Sequence, residues 1–177
     1  MPGGLSSDPR LFHASEPFVQ AVDHPLEQLE EQDAIYDLAM ALRAVAGKPR
    51  GRQRLDYRSA ERAKAFILEH LHLGITLEML EHASGREQWS LSRDFRALYG
   101  TSPYRFVTLR RLDNVRRLLL DGFTLVDAAL AAGFHDQSHM TRHFTRSYGV
   151  SPLRWLERLR PGQQRAGSYK RADTELQ

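Results

Sequence analysis

The sequence contains no cysteine, which excludes disulfides, thiolate zinc sites and cysteine nucleophiles. It also lacks any apolar run near the ~18–20 residues that a membrane-spanning helix needs. The start, Met1-Pro2-Gly3-Gly4, has neither the basic segment nor the apolar centre of a secretory signal. Lysine is scarce, and beyond residue 57 only Lys64 and Lys170 occur. These absences favour a cytoplasmic protein without membrane contact, whose positive charge is carried by arginine.

The charge is divided unevenly along the chain. Residues 1–57 hold six Lys and Arg against nine Asp and Glu, a net of −3, whereas residues 58–177 hold 19 against 13, a net of +6. Arginine makes bidentate contacts with phosphate and guanine. A net of +6 over a helical surface also serves solubility alone, so charge by itself is weak evidence for nucleic-acid binding.

The N-terminal part predicts one helix. Residues 1–22 show little periodicity and are expected to be irregular, while Asp23-His24-Pro25 resembles a helix start and Gly47 a helix end. Within this segment an apolar stripe follows a spacing of three and four residues, made of Ile35, Leu38, Leu42 and Val45. Such a stripe is typical either of a dimer seam or of a face packed on its own domain. The basic, glycine- and proline-containing residues 47–52 then predict a linker.

Two copies of one pattern occupy the rest of the chain. FRALYGTSP at 95–103 and FTRSYGVSP at 144–152 share the phenylalanine, the Tyr-Gly pair and the Ser-Pro pair, 49 residues apart. Upstream, Thr-Leu and Ala-x-Gly also recur, at an offset of 48, so the second copy has one extra residue in its turn. Each copy predicts a short helix, a glycine turn, a second helix and a Ser-Pro start of a third helix. This is helix-turn-helix organisation.

Residue types within each copy fit this organisation. Gly85 and Gly133 supply the backbone freedom of the turns, and Ala83 and Ala131 are expected to let the helices approach closely. Leu91 with Phe95, and Met140 with Phe144, lie four residues apart and predict the buried face of each second helix. The opposite faces carry hydrogen-bond donors, arginines and an aromatic ring, as a DNA-reading helix requires: Gln88, Trp89, Ser92, Arg93 and Arg96 in the first copy, and Gln137, Ser138, His139, Thr141, Arg142 and Arg146 in the second.

RLDNVRRLLLDG (111–122), AAGFHDQSHMTRHF (131–144) and YGVSPLRW (148–155) together resemble the DNA-binding domain of the AraC/XylS family of transcriptional regulators. The resemblance covers residues 76–155, about half of the chain. It implies an all-α fold with two helix-turn-helix subdomains, about 76–99 and about 124–148, joined by a long linker helix. It also implies that both second helices enter successive major grooves of double-stranded DNA, in a regulator that is more often an activator.

By position, the family's base-reading residues fall on Trp89, Ser92 and Arg93, and on Gln137, Ser138, Thr141 and Arg142. Arg96 and His139 are adjacent candidates for phosphate contacts, and Arg146 lies on the same face. An equally good interpretation is that Trp89 packs half-buried within its own domain rather than contacting a base. The sequence departs from the family pattern at Arg86-Glu87, where an apolar residue and a serine or threonine cap are usual. That turn is therefore expected to be poorly capped, with a more mobile first copy or an arginine that reaches the DNA backbone.

These observations predict three regions: an N-terminal helical segment with a basic linker (1–52), the DNA-binding domain (53–160) and a polar, disordered tail (161–177). The N-terminal segment resembles the helical dimerisation part of family sensors. Residues 1–57 have neither the length nor the β pattern for the β-barrel of those sensors, so no small-molecule effector is predicted. Candidate partners are double-stranded DNA, RNA polymerase and a second copy. The alternatives are a helical protein-interaction module and a zinc hydrolase built on His135, His139 and His143. Because no carboxylate or cysteine completes that histidine set, we expect no metal, cofactor or catalysis.

Overall fold

The computed structural model describes residues 6–22, 25–47 and 54–159, and every regular element in these ranges is an α-helix. In chain order the helices are α1 (Pro9–Gln20), α2 (Gln28–Val45), α3 (Tyr57–Glu69), α4 (Leu77–Ser84), α5 (Gln88–Tyr99), α6 (Pro103–Leu120), α7 (Leu125–Ala131), α8 (Gln137–Tyr148) and α9 (Pro152–Leu159). The described part of the chain contains no helix both long and apolar enough to cross a membrane. The all-α prediction is confirmed.

Two compact units divide the chain, Met1–Arg110 and Arg111–Gln177, with the division inside α6. In the first unit α1 packs on α2, α2 packs on α5, and α3 packs on both α4 and α5. In the second unit α8 packs on α7 and α9. The N-terminal helices therefore group with the first helix-turn-helix, α4–α5. The predicted boundary near residue 52 stays a prediction, because residues 48–53 lie outside the described ranges, as does the predicted tail.

Each unit has its own apolar core. The first core combines residues of α2 to α6: Leu29, Ala63, Ile67, Ile75, Leu77, Leu80, Leu91, Phe95, Phe106 and Val107. The second combines residues of α6 to α8 with the α7–α8 turn: Leu112, Val115, Leu119, Ala128, Ala129, Ala132, Phe134, Met140 and Phe144. Both predicted pairs on the second helices are fully buried, so the assignment of inward faces is confirmed.

The helix starts follow from capping side chains. Thr76 accepts a hydrogen bond from the Met79 amide at 3.2 Å and begins α4, and Thr124 accepts from the Asp127 amide at 3.1 Å and begins α7. At α8 the Asp136 carboxylate accepts from the His139 amide at 2.7 Å. These predicted caps are confirmed. Helix α3 begins at Tyr57 rather than Ser59, because Asp56 accepts from the Ser59 amide at 3.0 Å.

The prediction for the N-terminus was wrong in two respects. Residues 9–20 form helix α1, which Asp8 caps by accepting from the Arg10 amide at 2.9 Å. No residue of this helix is fully buried, although the helix packs on α2. Helix α2 begins at Gln28 after the extended Glu27 rather than at Asp23-His24-Pro25, of which Asp23 and His24 lie outside the described residues.

The small residues at the turns also differ from the prediction. Ala83 is half-buried and Ala131 is exposed, whereas the next residues, Ser84 and Ala132, are 0 % and 1 % exposed. The close approach of the helices therefore rests on Ser84 and Ala132. The predicted role of the glycines is supported, since Gly85 has φ +65° and Gly133 has φ +89°.

Replacing Gly85 by alanine should cost about 1–2 kcal/mol of unfolding free energy, because a Cβ disfavours the left-handed conformation. Space is not the obstacle, since a Cβ there would meet only the Arg62 side chain at 3.9 Å. Urea unfolding followed by Trp89 fluorescence in a Trp155→Phe background reports on the first unit. Gly74→Ala is the control, since its φ is not positive and its Cβ would meet nothing within 4 Å. Equal stabilities of the two variants would contradict the turn assignment.

Candidate nucleic-acid interface

Helix α8 of the second unit presents a polar face over a fixed apolar one. Ser138, Arg142 and Arg146 are exposed, and Gln137 and Thr141 are half-buried beside them. Met140 and Phe144 lock the opposite side into the core, and Phe144 contacts the Trp155 ring at 5.7 Å between centroids. Within the described residues no hydrogen bond or ion pair holds the Arg142 guanidinium. The polar face of α8 therefore carries the Arg142 guanidinium, the Gln137 amide and the hydroxyls of Ser138 and Thr141.

His139 and His143 of α8 contact an aromatic ring of the same unit. The His139 ring meets the Phe134 ring edge-on at 5.5 Å and the His143 ring at 4.6 Å, while the exposed His135 lies 3.3 Å from the Asp136 carboxylate. Burial, together with the neighbouring His139, Arg142, Arg146 and Arg111, lowers the pKa of His143 to about 3. His143 is therefore neutral at pH 7. His139, predicted as a phosphate contact, is half-buried in this packing, and its role on DNA stays a prediction.

Helix α5 of the first unit has a different environment. Trp89 is 47 % exposed, but Ser92 is only 1 % exposed. The Arg93 guanidinium donates to the carboxylate of its neighbour Asp94, from Nε at 2.9 Å and from a terminal nitrogen at 2.6 Å. In this structure Ser92 is therefore buried and Arg93 is paired, and their predicted roles on DNA stay predictions.

Asp94 is the fully buried centre of a charge cluster. Its second carboxylate oxygen accepts from Arg86, at 3.2 and 3.0 Å, and from the backbone amide of Asp56 at 3.1 Å. A buried carboxylate requires such partners, because an unpaired charge away from water is strongly unfavourable. The cluster connects the start of α3, the α4–α5 turn and α5. Asp94 was missed from sequence, although an acidic residue beside the inward Phe95 was a usable signal.

The departure at Arg86-Glu87 has a structural explanation that corrects the predicted weak cap. The Glu87 carboxylate accepts from the amides of Trp89 and Ser90, both at 2.9 Å, and so caps α5. Arg86 is paired with Asp94 rather than extended toward a partner outside the unit. In the second copy the corresponding space holds Phe134, which is 4 % exposed. The first turn is thus as well capped as the second but is built with charges.

Helix α2 covers part of the α5 face. The Arg96 guanidinium lies 3.3 Å from an Asp33 carboxylate oxygen, 3.0 Å from one of Asp37 and 4.2 Å from the centre of the Tyr36 ring. The Tyr36 ring also contacts Trp89, with 5.3 Å between centroids. Burial raises the pKa of Asp33, and the positive charge of Arg96 opposes this shift. In this structure Trp89 therefore packs on Tyr36, and Arg96 forms ion pairs with Asp33 and Asp37 of its own chain.

The apolar stripe on α2 remains largely exposed. Ile35, Leu42 and Val45 are 44 %, 52 % and 42 % exposed, and Leu38 is half-buried. The helix packs on its unit through other residues, among them Leu29, Ala34 and Ala41. About half of the surface of these three residues is covered, and Ile35 also lines a cleft against α5, so both interpretations of the stripe stay predictions.

A family model described as a helix-turn-helix domain matches residues 80–158. The structure superimposes on the DNA-binding domain of AdpA, a global transcriptional factor in complex with a target DNA, with a TM-score of 0.55 and 27 % identity over 62 % of this chain and 98 % of that one. A probable AraC family transcriptional regulator from Rhodopseudomonas palustris CGA009 gives a TM-score of 0.52 and 27 % identity over 56 % of this chain and 95 % of the other. Residues 80–158 therefore match a helix-turn-helix domain, and the chain is similar in structure to a DNA-binding domain and to a probable AraC family regulator.

Curated relatives share this domain rather than their whole length. The virulence regulon transcriptional activator VirF of Yersinia enterocolitica is 32 % identical over 99 residues, 55 % of this chain and 36 % of VirF. The HTH-type transcriptional regulator ExsA of Pseudomonas aeruginosa is 30 % identical over 103 residues, 58 % of this chain and 37 % of ExsA. The chain thus spans little more than a third of the length of these relatives.

The two helix-turn-helix copies differ in the residue that follows their equivalent arginines. At the repeat offset of 49, Asp94 of α5 corresponds to His143 of α8, and Arg93 corresponds to Arg142. A buried carboxylate holds the first arginine, whereas a neutral imidazole stands beside the second. Arg142 of the second copy is therefore exposed, whereas Arg93 of the first copy is bound to Asp94.

The neutral state of His143 predicts a pH-dependent stability of the second unit. Because the folded pKa is depressed to about 3 from 6.5, the unfolded chain binds a proton that the folded chain does not. Stability is then fully present above pH 6.5 and falls as the pH falls below it, by about 1–2 kcal/mol between pH 7 and pH 5. Urea unfolding followed by Trp155 fluorescence in a Trp89→Phe background measures this loss.

Two variants isolate the contribution of His143. His143→Leu should remove most of this loss, whereas His135→Leu should leave it unchanged, because the His135 side chain is 85 % exposed. A pH profile that is the same in parent and His143→Leu would show that another group causes the loss.

Proposed function

We propose that this chain is a sequence-specific regulator of transcription, and an activator, that binds double-stranded DNA through its AraC-type domain. The observation that carries the proposal is the face of α8, where Arg142 is exposed between polar side chains on a helix whose other side is fixed in a core. The relative VirF is named a transcriptional activator, and the similar AdpA domain is in complex with a target DNA. Both support the same class of function.

In the proposed complex α8 lies in a major groove. The Arg142 guanidinium suits the O6 and N7 acceptors of guanine, and the Gln137 amide suits the N6 and N7 edge of adenine. Ser138 and Thr141 add hydroxyls that bond either a base edge or a phosphate. Arg146, exposed in the last turn of α8, suits the phosphate backbone.

Helix α5 is proposed to read a second block of the site in the successive groove, through Trp89, Ser92 and Arg93. This role requires local changes, because Arg93 is bound to Asp94 and Ser92 is buried. Arg96 is proposed to contact phosphate once it is free of Asp33 and Asp37. No part of this function requires catalysis or a cofactor. RNA polymerase is a further proposed partner, and a cytoplasmic location follows from the proposed partners.

Arg142→Ala should weaken binding by about 1–3 kcal/mol and remove the preference at one base position, if Arg142 reads a base. The measurement is selection of sites from a random duplex pool at near-physiological salt, followed by affinity measurement on the enriched duplex and on single-base variants. Binding should fall steeply with salt, since phosphate contacts release counterions.

Arg43→Ala is the matched control, because it removes one exposed arginine outside residues 80–158. It should leave base preference unchanged. Equal weakening of Arg142→Ala on all duplexes would assign Arg142 to the phosphate backbone, and a parent chain that enriches no duplex would contradict the proposed function.

The exposed stripe of α2 supports a second proposal, association of two copies through Ile35, Leu38, Leu42 and Val45. An apolar row of this kind buries area in a dimer, at about 25 cal/mol per Å². Leu42→Glu should shift the chain toward monomer in sedimentation at matched concentrations, whereas Arg43→Glu, an exposed neighbour in the same turn, should not. A parent chain that is monomeric at high concentration would contradict this seam. Salt-insensitive dimers that bind no DNA would instead favour the alternative function, a protein-interaction module.

A further inference from the structure

Helix α2 supplies the α5 face with the chemical groups that DNA would supply. Two carboxylates, those of Asp33 and Asp37, engage the Arg96 guanidinium as a pair of phosphates would. The flat ring of Tyr36 lies against both Arg96 and Trp89, the two groups most suited to contact a sugar or base. The polar face of α5 is therefore engaged by anions and an aromatic ring of the same unit.

The same helix also occupies two helix N-termini of the first unit. The Gln32 side-chain oxygen accepts from the Leu77 amide at the start of α4, at 3.0 Å, and an Asp33 oxygen accepts from the Tyr104 amide at the start of α6, at 2.8 Å. Free amides at helix N-termini are common binding groups for phosphate oxygens, in DNA complexes as elsewhere. Asp33 thus contacts both a predicted phosphate-binding arginine and a helix N-terminus.

A cleft lies between α2 and α5. It is lined by residues of α2, by Leu77 and by the predicted reading face of α5, including Gln88, Trp89 and Ser92. Because α2 lies over part of these side chains, it restricts the approach of a DNA backbone or base edge to them, although Trp89 is still 47 % exposed. Trp89 and Arg96, both predicted DNA contacts, are therefore engaged by α2 in the absence of DNA, and Ser92 lines the cleft between the two helices.

We propose that α2 is a built-in competitor of DNA, which occupies the reading face of the first helix-turn-helix and must leave it before α5 can bind. The inference rests on the proposed function, since it assumes that α5 contacts DNA. The Asp37–Arg96 pair is suited to exchange, because the Asp37 side chain is 54 % exposed and that of Arg96 is 19 % exposed, so water and salt reach it, whereas the Asp33 side chain is only 5 % exposed. Coupling of such a contact to binding typically changes affinity about 5–150-fold.

The test removes the charges of α2 without altering the predicted DNA contacts. Asp33→Asn/Asp37→Asn keeps the shape of both side chains, and an asparagine at 33 can still accept from the Tyr104 amide. Glu16→Gln/Glu31→Gln removes the same net charge from α1 and α2 and leaves the Arg96 contacts in place. The probe is the duplex enriched from the random pool by the parent chain.

The first variant should bind this duplex about tenfold more tightly than the parent, and the control should stay within about twofold. In a Trp155→Phe background, the emission of Trp89 should shift to the red only in the first variant, because its contact with Tyr36 is lost. Equal affinities of the first variant and the control would overturn the inference and leave the proposed function intact. Failure of all three chains to bind any duplex would refute the proposed function, and the inference with it.

A measurement on the unmodified chain keeps the inference testable if the double variant does not fold. Amide hydrogen exchange of residues 28–45 should become faster when the enriched duplex is added at saturating concentration, since α2 would be displaced. Unchanged or slower exchange in this segment, together with measured DNA binding, would overturn the inference.

Discussion

The buried carboxylate of Asp94 is the constraint on which the first unit depends. It lies between Leu91 and Phe95 in the core of the unit, where an unpaired charge would be strongly unfavourable. Arg86, Arg93 and the Asp56 amide all donate to it, so one side chain fixes the α4–α5 turn, an α5 arginine and the start of α3. The arginine required for this stability is the one whose position suggests base recognition. Stability and recognition therefore compete for Arg93.

The second unit shows the same fold without this competition. His143 stands where Asp94 stands in the first copy, and as a neutral ring it needs no arginine partner. Phe134 fills the turn with apolar volume, where the first copy uses the paired Arg86. The extra residue in the second turn is His135, which stands between the buried Phe134 and the cap Asp136. The two copies thus share one backbone arrangement, but a buried carboxylate follows the arginine of the first copy and a neutral histidine follows that of the second.

Prediction from sequence succeeded where the determinants were local. The caps at Thr76, Thr124 and Asp136, the positive φ of Gly85 and Gly133, and the buried pairs of α5 and α8 all follow from residues within a few positions of one another. It failed where partners are distant, as for Arg96 and Asp33, which are 63 residues apart. No periodicity indicates such a contact. Helix α1 was missed because its apolar pattern was not recognised; none of its residues is fully buried, but the helix packs on α2.

In the first unit, acidic residues of the N-terminal segment pair with a basic residue of the helix-turn-helix. A net of −3 in residues 1–57 lowers the non-specific attraction of the whole chain to DNA, but its effect is greatest where the charges touch the reading face. Asp33 and Asp37 touch that face through the one arginine of α5 that Asp94 does not hold. Both arginines of the first recognition helix are thus neutralised internally, one by its own helix and one by α2. Sequence recognition by the free chain should then begin at α8, with α5 joining only when DNA phosphates replace the carboxylates.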